Sequence, residues 1–166
     1  MPQGIVKPVN QIVAAGDPLT VEMEVGANAD PVEMLPGRVV VFDNADQTVM
    51  EAGAKAVGEV GFLEVGVGFV DGGAVAKKKT DAYAVGDQVP VVFGECLAVL
   101  TLLASENVTR GNPLVTAADG KLAKLAVGVM GAQGKVVAYA WESSNVTSDA
   151  EILVHWNPAA EPAAAS

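Results

Sequence analysis

Side chains that could perform catalysis are few in this chain, and they lie far apart in the sequence. The single histidine, His155, lies in an alternating segment near the C-terminal end, and the single cysteine, Cys96, lies in an apolar run with no histidine nearby. A reactive thiol needs a neighbouring base or a positively charged environment. We therefore interpret Cys96 as a buried core residue that forms no intramolecular disulfide. We interpret His155 as an imidazole at a strand edge or an interface rather than as a catalytic base.

Metal-binding and nucleotide-binding patterns are also missing from the sequence. One histidine and one cysteine are too few ligands for zinc, and Asp43, Asp46 and Glu51 lack the glycine and spacing of an EF-hand loop. Neither a nucleophile elbow nor a glycine-rich phosphate-binding motif is present. The sequence therefore predicts no catalytic residue, no metal site and no cofactor, and a protein that is not an enzyme.

One lysine offers a weaker, enzyme-linked alternative. Lys121 follows the Asp119-Gly120 corner, and carrier domains expose a modified lysine on a β-turn. Biotinyl carriers have methionine on both sides of that lysine, and lipoyl carriers have aspartate and alanine, whereas Lys121 lies between glycine and leucine. A carrier or a small-ligand barrel is therefore kept only as a minor alternative.

The charge and hydropathy of the chain restrict its partners. The 166 residues carry a formal net charge of −10, with 20 acidic and 10 basic residues. Nucleic-acid binding depends mainly on lysine and arginine at phosphates, so we expect no nucleic-acid partner, and the lysine cluster at 77–79 is interpreted as a solvated loop or a contact for an acidic surface. The run Leu97 to Ala104 is only strand length, well short of the roughly 18 residues of a membrane span, so we expect no membrane partner.

The pattern of apolar residues predicts an all-β fold. Hydrophobic residues make up 51% of the chain, and valine and alanine dominate them. Leu19 to Val25 alternates strictly between apolar and polar residues, which is typical of a half-buried antiparallel strand. Similar short apolar runs recur along the chain between glycine, proline and aspartate corners. Counting them gives about eight to ten short strands, and we predict a small antiparallel β-barrel.

Three corners in the middle of the chain are interpreted as structural turns. Two of them open short apolar runs, and Asp-Gly between apolar segments is a strong local signal for a hairpin. The residues assigned to these turns are Gly86, Asp87, Gly111, Asn112, Asp119 and Gly120.

The two ends of the chain differ from this barrel pattern. Residues 1–17 contain Pro2 and Pro8, which prevent a regular helix start, and more apolar residues than a free tail carries. We predict either an extended arm that is anchored when a partner covers it or an edge strand of the same barrel. Residues 18–156 are predicted to form the β-barrel domain, and the Pro/Ala-rich residues 157–166 a disordered tail. The apolar residues assigned to the arm are Ile5, Val6, Val9, Ile12 and Val13.

Residues 16 to 156 resemble the capsid decoration, or cement, proteins of tailed bacteriophages. The likeness rests on a tyrosine followed by a Gly-Asp corner and alternating valines, and on a Gly-Asn-Pro-Leu-Val run followed by an Asp-Gly corner and leucine. The step from Leu35 to Val40 is also similar. The matching residues of these two motifs are Tyr83, Gly86, Asp87, Val89, Val91, Gly111, Asn112, Pro113, Leu114, Val115, Asp119, Gly120 and Leu122.

The resemblance implies a structural function. It implies a β-barrel that forms a homotrimer on the outer surface of an assembled head, binds the major capsid protein and stabilises the head by bridging capsomers. The implied location is the outer capsid surface of the virion, after synthesis in the host cytoplasm, and the arm would join a sheet of the capsid protein or of a neighbouring subunit. Another virion structural protein, such as a spike base or a tail component, is the alternative.

Overall fold

The computed structural model describes residues 12–15, 19–43, 47–54, 56, 60–64, 67–70, 73–76, 78–126 and 134–158. Within them the chain is all-β, as predicted, with one three-residue 3₁₀ turn at Ala118–Gly120 and no α-helix. Residues 127–133 of the predicted barrel domain and the residues of the predicted tail beyond 158 lie outside the described residues. The strands are divided between two small closed barrels of five strands each, rather than forming a single one.

The first barrel has the strand order β2-β4-β3-β5-β8. Its β2–β4 pair is parallel, and the other pairs are antiparallel. The alternation predicted for Leu19 to Val25 holds only in the second half of β2, where Met23 and Val25 are buried and Glu22 and Glu24 are exposed, whereas Leu19 and Val21 are exposed. Its strands are β2 (Thr20–Val25), β3 (Val39–Phe42), β4 (Thr48–Glu51), β5 (Val60–Leu63) and β8 (Gln88–Val92).

The second barrel has the order β9-β12-β11-β13-β15, closed by the pairing of β15 with β9. Its single parallel pair joins β12 to β9 at Leu122 and Leu102. Its strands are β9 (Cys96–Leu102), β11 (Pro113–Thr116), β12 (Leu122–Lys124), β13 (Ala138–Ala140) and β15 (Ala150–Trp156). The remaining strands are β1 (Ile12–Ala15), β6 (Val67–Val70), β7 (Gly73–Ala76), β10 (Asn107–Val108) and β14 (Ser144–Asn145).

The two barrels have the same topology. In each one, the first strand pairs parallel with the third and antiparallel with the fifth, and the second strand pairs with both the third and the fourth. The match extends to single hydrogen bonds: the Gly37 N–H donates to the carbonyl of Leu63, and the Gly111 N–H donates to that of Ala140. Leu63 and Ala140 each end the fourth strand of their barrel, and both glycines have a positive φ. The chain therefore contains one barrel design twice.

The outer face of the first barrel packs against the apolar cluster that fills the second. Val40 and Leu63 point into the first barrel, whereas Val39 and Phe62, their neighbours in sequence, pack in the cluster that fills the second. The rings of Phe62 and Trp156 meet edge to face, with centroids 5.3 Å apart. Such aromatic pairs contribute roughly 0.5–1.5 kcal/mol beyond the area that they bury. The apolar cluster of the second barrel therefore extends onto the outer face of the first, while the first barrel keeps a separate cluster of its own.

A polar seam fixes the second barrel against the first at the 3₁₀ turn. The buried Arg38 donates through Nη1 to the carbonyl oxygen of Asp119 at 2.8 Å and forms an ion pair with Glu33 at 3.0 Å. The Gly120 N–H donates to the carbonyl of Ala52 at 2.8 Å. A buried guanidinium must be paired because removal from water is costly, and this seam supplies the pairing from both barrels.

Gly120 is the tightest point of that seam. Its φ is +67°, and a Cβ there would fall far inside contact distance of the Val39 carbonyl oxygen. Gly111 also has a positive φ, of +91°, but a Cβ at that position would meet open space.

We expect Gly111→Ala to lower the free energy of unfolding by about 1–2 kcal/mol through left-handed strain. Gly120→Ala should lower it by about 1–3 kcal/mol more through overpacking. Urea unfolding of the two variants checks this, and equal losses would show that the seam is not tight.

Lys121 and Asp149 form a second polar contact beside the seam. Lys121 Nζ lies 2.9 Å from Asp149 Oδ2 and 3.4 Å from Asp119 Oδ2. Burial disfavours the charged amine, but the hydrogen bonds to Asp149 and Asp119 outweigh it and raise the pKa of Lys121. The hydrogen bond from Lys121 lowers the pKa of Asp149 against the opposing effect of burial, and the N–H of Ala104 also favours the ionised form.

The lowered pKa of Asp149 predicts a dependence of stability on pH. The ionised carboxylate stabilises the fold above the ordinary value of 3.8, and this contribution is lost as the pH falls through the lower folded value. Because the Asp149 side chain is 38% exposed, we expect only about 0.5–1 kcal/mol. Asp149→Asn should remove that part of the acid dependence in melting curves between pH 7 and 3. Asp81→Asn is the control, since Asp81 also accepts a backbone N–H; the same change in both variants would contradict the assignment.

Candidate interaction surface

The outer face of the second barrel carries a group of aromatic and charged side chains. Tyr139 of β13 lies opposite His155 of β15 in the antiparallel register, and Trp141 follows directly after β13. The N–H of Trp141 donates to the carbonyl of Leu153 at 2.9 Å, which holds it against β15. Tyr139 is 38% exposed and Trp141 is 40% exposed. We call Tyr139, Trp141 and His155, together with Arg110 and Glu95, the aromatic patch.

Neighbouring groups hold the rings of the aromatic patch in place. The guanidinium of Arg110 lies 4.9 Å from the ring centroid of Trp141, and the N–H of Arg110 donates to the hydroxyl oxygen of Ser143 at 3.0 Å. The ring of His155 packs edge to face against Trp141, with centroids 6.5 Å apart, and His155 Nε2 lies 2.5 Å from Glu95 Oε1. An exposed cation–π contact contributes roughly 0.5–1 kcal/mol. Trp141, His155 and Arg110 are therefore ordered before any partner binds.

The composition of the aromatic patch is that of a protein-binding surface. Tryptophan, tyrosine and arginine are the residues most enriched among those that dominate binding energy in protein interfaces. Ordering them in advance lowers the entropy lost on association, which is about 0.5–1.5 kcal/mol for each flexible side chain. The aromatic patch can bind a partner surface by burying the rings of Tyr139 and Trp141 and by pairing the Arg110 guanidinium with an acceptor of the partner.

His155 lies on the outer face of the second barrel, and Cys96 lies in its core. His155 is paired with Glu95, and β15 pairs at His155 with both β13 and β9, so the residue is not at a strand edge; an interface role stays a prediction. Cys96 is buried, as interpreted from its apolar run. Burial, and then the negative charges of Glu64 and Glu95, raises the pKa of the Cys96 thiol to about 11. The thiol is therefore protonated at neutral pH and poorly nucleophilic.

Lys121 lies at the hairpin predicted for it, but its amine is not presented to solvent. The side chain is 11% exposed and the amine is engaged by Asp149 and Asp119. A carrier lysine must extend from its turn to reach a partner enzyme. This geometry does not favour the carrier alternative.

The residues assigned to turns lie at the ends of strands in both barrels. Gly86, Gly111 and Gly120 have positive φ values, and Asp119 has a φ of +59° inside the 3₁₀ turn. Asp87 Oδ2 accepts the N–H of Ala84. Asn112 Oδ1 accepts the N–H of Thr109, three residues earlier. These side chains close local hydrogen bonds of the kind that asparagine and aspartate form in turns.

The structure describes only part of the predicted arm. Ile5, Val6 and Val9 lie outside the described residues, whereas Ile12 and Val13 begin β1, which pairs antiparallel with β9 of the same chain. The N–H of Ile12 also donates to Glu64 Oε2 at 2.9 Å. This part of the chain therefore adds to the edge of a sheet, and its role in binding a capsid stays a prediction.

Sequence reasoning did not identify the aromatic patch as a unit. Arg110 and Trp141 are 31 positions apart by numbering, and only the pairing of distant strands brings them together. The alternation Ala138-Tyr139-Ala140 was the available signal, since small buried residues there flank an exposed ring.

Within the described residues no helix is long and apolar enough to cross a membrane. The same residues contain no group of three or more His, Cys, Asp or Glu side chains placed to hold a metal ion.

Comparison with known proteins gives likenesses among solved structures only. No protein-family model and no curated protein matches the chain. Among solved structures, the N base of the head fibre gp8.5 of bacteriophage phi29 is similar over 82% of this chain and 93% of that chain. The TM-score is 0.46 and the sequence identity is 14%. A likeness of this degree assigns no function to this chain.

Proposed function

We propose that this chain is a structural protein of a tailed-phage virion that decorates the outer surface of the assembled head. It binds the major capsid protein and stabilises the head by bridging neighbouring capsomers. The motif resemblance described above supports the family. The single structural observation that carries the binding role is the aromatic patch, in which Trp141 is held between Arg110 and His155 on the outer face of a sheet and Tyr139 is exposed beside them.

The body that carries the patch suits a role under mechanical force. The two barrels are joined by an apolar cluster that spans their junction and by a polar seam, so force applied to the second barrel passes to the first through packed side chains. Interiors packed at crystal-like density transmit strain rather than absorb it. A decoration protein that bridges capsomers needs this stiffness.

The proposal includes no catalysis and no cofactor. The two residues that could have served as nucleophile and base have other roles here, because the Cys96 thiol is buried and protonated and His155 is paired with Glu95 in the aromatic patch. Binding through the faces of the barrels and through the N-terminal arm is the proposed activity. A spike base or a tail component would use the same patch, and the number of copies on each particle distinguishes these roles.

Co-sedimentation with empty, expanded heads of the virus that encodes the chain tests the proposal. We expect the protein to pellet with heads at a saturating ratio of many copies per particle. Trp141→Ala should weaken binding at least tenfold, because truncation removes a central ring and its contact with Arg110. Val32→Ala, at a 70% exposed site on the first barrel, is the matched control and should bind as the parent does.

Two results of that experiment would contradict the proposal. No pelleting above the level of a protein control would contradict head binding, and saturation at a few copies per particle would favour the spike or tail alternative. A variant lacking residues 1–17 tests the arm separately. Binding equal to that of the full chain would contradict the arm's role, without affecting that of the aromatic patch.

The proposed assembly is a homotrimer. Repeated weak contacts by three linked subunits raise the overall affinity for a surface with matching symmetry. Light scattering at micromolar concentration should give about three times the chain mass of 16.9 kDa. A monomeric mass over the whole concentration range would contradict this part of the proposal.

A further inference from the structure

One half of the outer edge of β2 is unpaired among the described residues. The N–H of Val25 donates to the carbonyl of Asp87, and the N–H of Phe93 donates to the carbonyl of Leu19. The backbone N–H and C=O groups of the odd-numbered residues of β2 therefore point towards β8. Those of the even-numbered residues point the other way, where the N–H of Glu24 donates to the carbonyl of Gln47. The pairing with β4 begins only at Glu24. The backbone groups of Thr20 and Glu22 therefore point to an open side.

The second barrel shows what occupies the equivalent edge. There the first strand, β9, pairs with the third strand, β12, only at Leu102, and the earlier half of the same edge is covered by β1. The covered positions, Cys96 to Ala98, come four to six residues before Leu102. Thr20 comes four residues before Glu24 and is therefore the counterpart of Ala98, which β1 covers, whereas Glu22 corresponds to Leu100, just beyond the positions that β1 pairs.

The open edge has two chemically different sides. Leu19 and Val21 lie on the face that buries Met23 and Val25 further along, yet they are 60% and 38% exposed. The N–H of Phe93 bonds to Leu19, and the Phe93 ring stacks on the 43% exposed Phe42 with centroids 5.8 Å apart. This side of the edge is apolar.

The opposite side is acidic and grooved. Glu22 and Glu24 are exposed there, and with Met23, Gln47, Thr48 and Gln88 they line a cavity of about 240 Å³. Side chains alternate between the two faces of a strand. A segment that extended the sheet at this edge would therefore place every second residue against the apolar side and the others beside the two glutamates.

We propose that the edge of β2 from Leu19 to Glu22 is a second strand-acceptor site, which binds an extended segment of another protein. That segment runs antiparallel to β2, as β1 runs to β9, and alternates apolar residues with lysine or arginine. Backbone hydrogen bonds to Thr20 and Glu22 supply affinity, and the alternating side chains supply specificity. The site lies on the first barrel and does not depend on the head binding proposed for the second.

Charge argues against a second copy of this chain as the occupant. Edge-to-edge pairing of two β2 strands would bring Glu22 and Glu24 of both copies together, and like charges across a ladder are destabilising. The net charge of −10 on each chain adds to that repulsion. The Ile12–Ala15 segment that fills the equivalent position carries no basic residue, so the same segment of another copy would leave both glutamates unpaired.

A synthetic seven-residue peptide that alternates lysine and valine is the probe. We expect it to bind the full chain and to slow the hydrogen exchange of the Thr20 and Glu22 amides at least tenfold in NMR spectra. Thr20→Pro removes an outward N–H and blocks the edge without breaking a bond to β8, as proline is tolerated at sheet edges. It should weaken peptide binding at least tenfold, whereas the matched Thr20→Val keeps the N–H and should bind as the parent does.

A second variant separates the charge from the backbone contribution. Glu22→Gln combined with Glu24→Gln should weaken binding several-fold and reduce its salt dependence, while melting curves confirm that each variant is folded. The proposal is overturned if the peptide does not protect the two amides, or if Thr20→Pro and Thr20→Val bind it equally. It is also overturned if a peptide alternating glutamate and valine binds equally well, or if the edge mediates a dimer that Thr20→Pro dissociates.

Discussion

The buried guanidinium of Arg38 is the interaction on which the arrangement of this molecule depends. It lies at the start of β3 in the first barrel and donates to Asp119 in the 3₁₀ turn of the second, while Glu33 balances its charge. A charge in this position is tolerated only if its partners are in place. The turn must therefore sit against the first barrel, and Gly120 is the residue that allows the backbone to come so close.

From this seam the positions of the other features follow. Docking the 3₁₀ turn places Phe62 against Trp156, within the apolar cluster that spans the junction of the two barrels. Trp156 and His155 are neighbours in β15, so their side chains point to opposite faces of the strand. Trp156 is buried in the core, and His155 lies on the outer face beside Trp141. The aromatic patch is therefore supported from behind by the contact between the barrels, and the surface proposed to bind a head is continuous with the core.

Local patterns in the sequence predicted the strands and turns but not their partners. The alternation of Leu19 to Val25 and the Asp119-Gly120 corner depend on neighbouring residues, and both correspond to observed elements. The division into two barrels depends on the parallel pairs Glu24–Thr48 and Leu102–Leu122, which join strands about 20 residues apart and leave no periodic signal. The repeated topology was hidden for the same reason, since the corresponding strands share little sequence beyond apolar character and Gly37 and Gly111.

Cryo-electron microscopy of expanded heads, with and without added protein, shows directly whether the chain binds the outer surface of the head through the aromatic patch. We expect additional density on the outer surface at many equivalent positions, into which the two-barrel body fits with Tyr139 and Trp141 facing the capsid shell. Density confined to a vertex or the tail, or a fit in which the aromatic patch faces solvent, would contradict it.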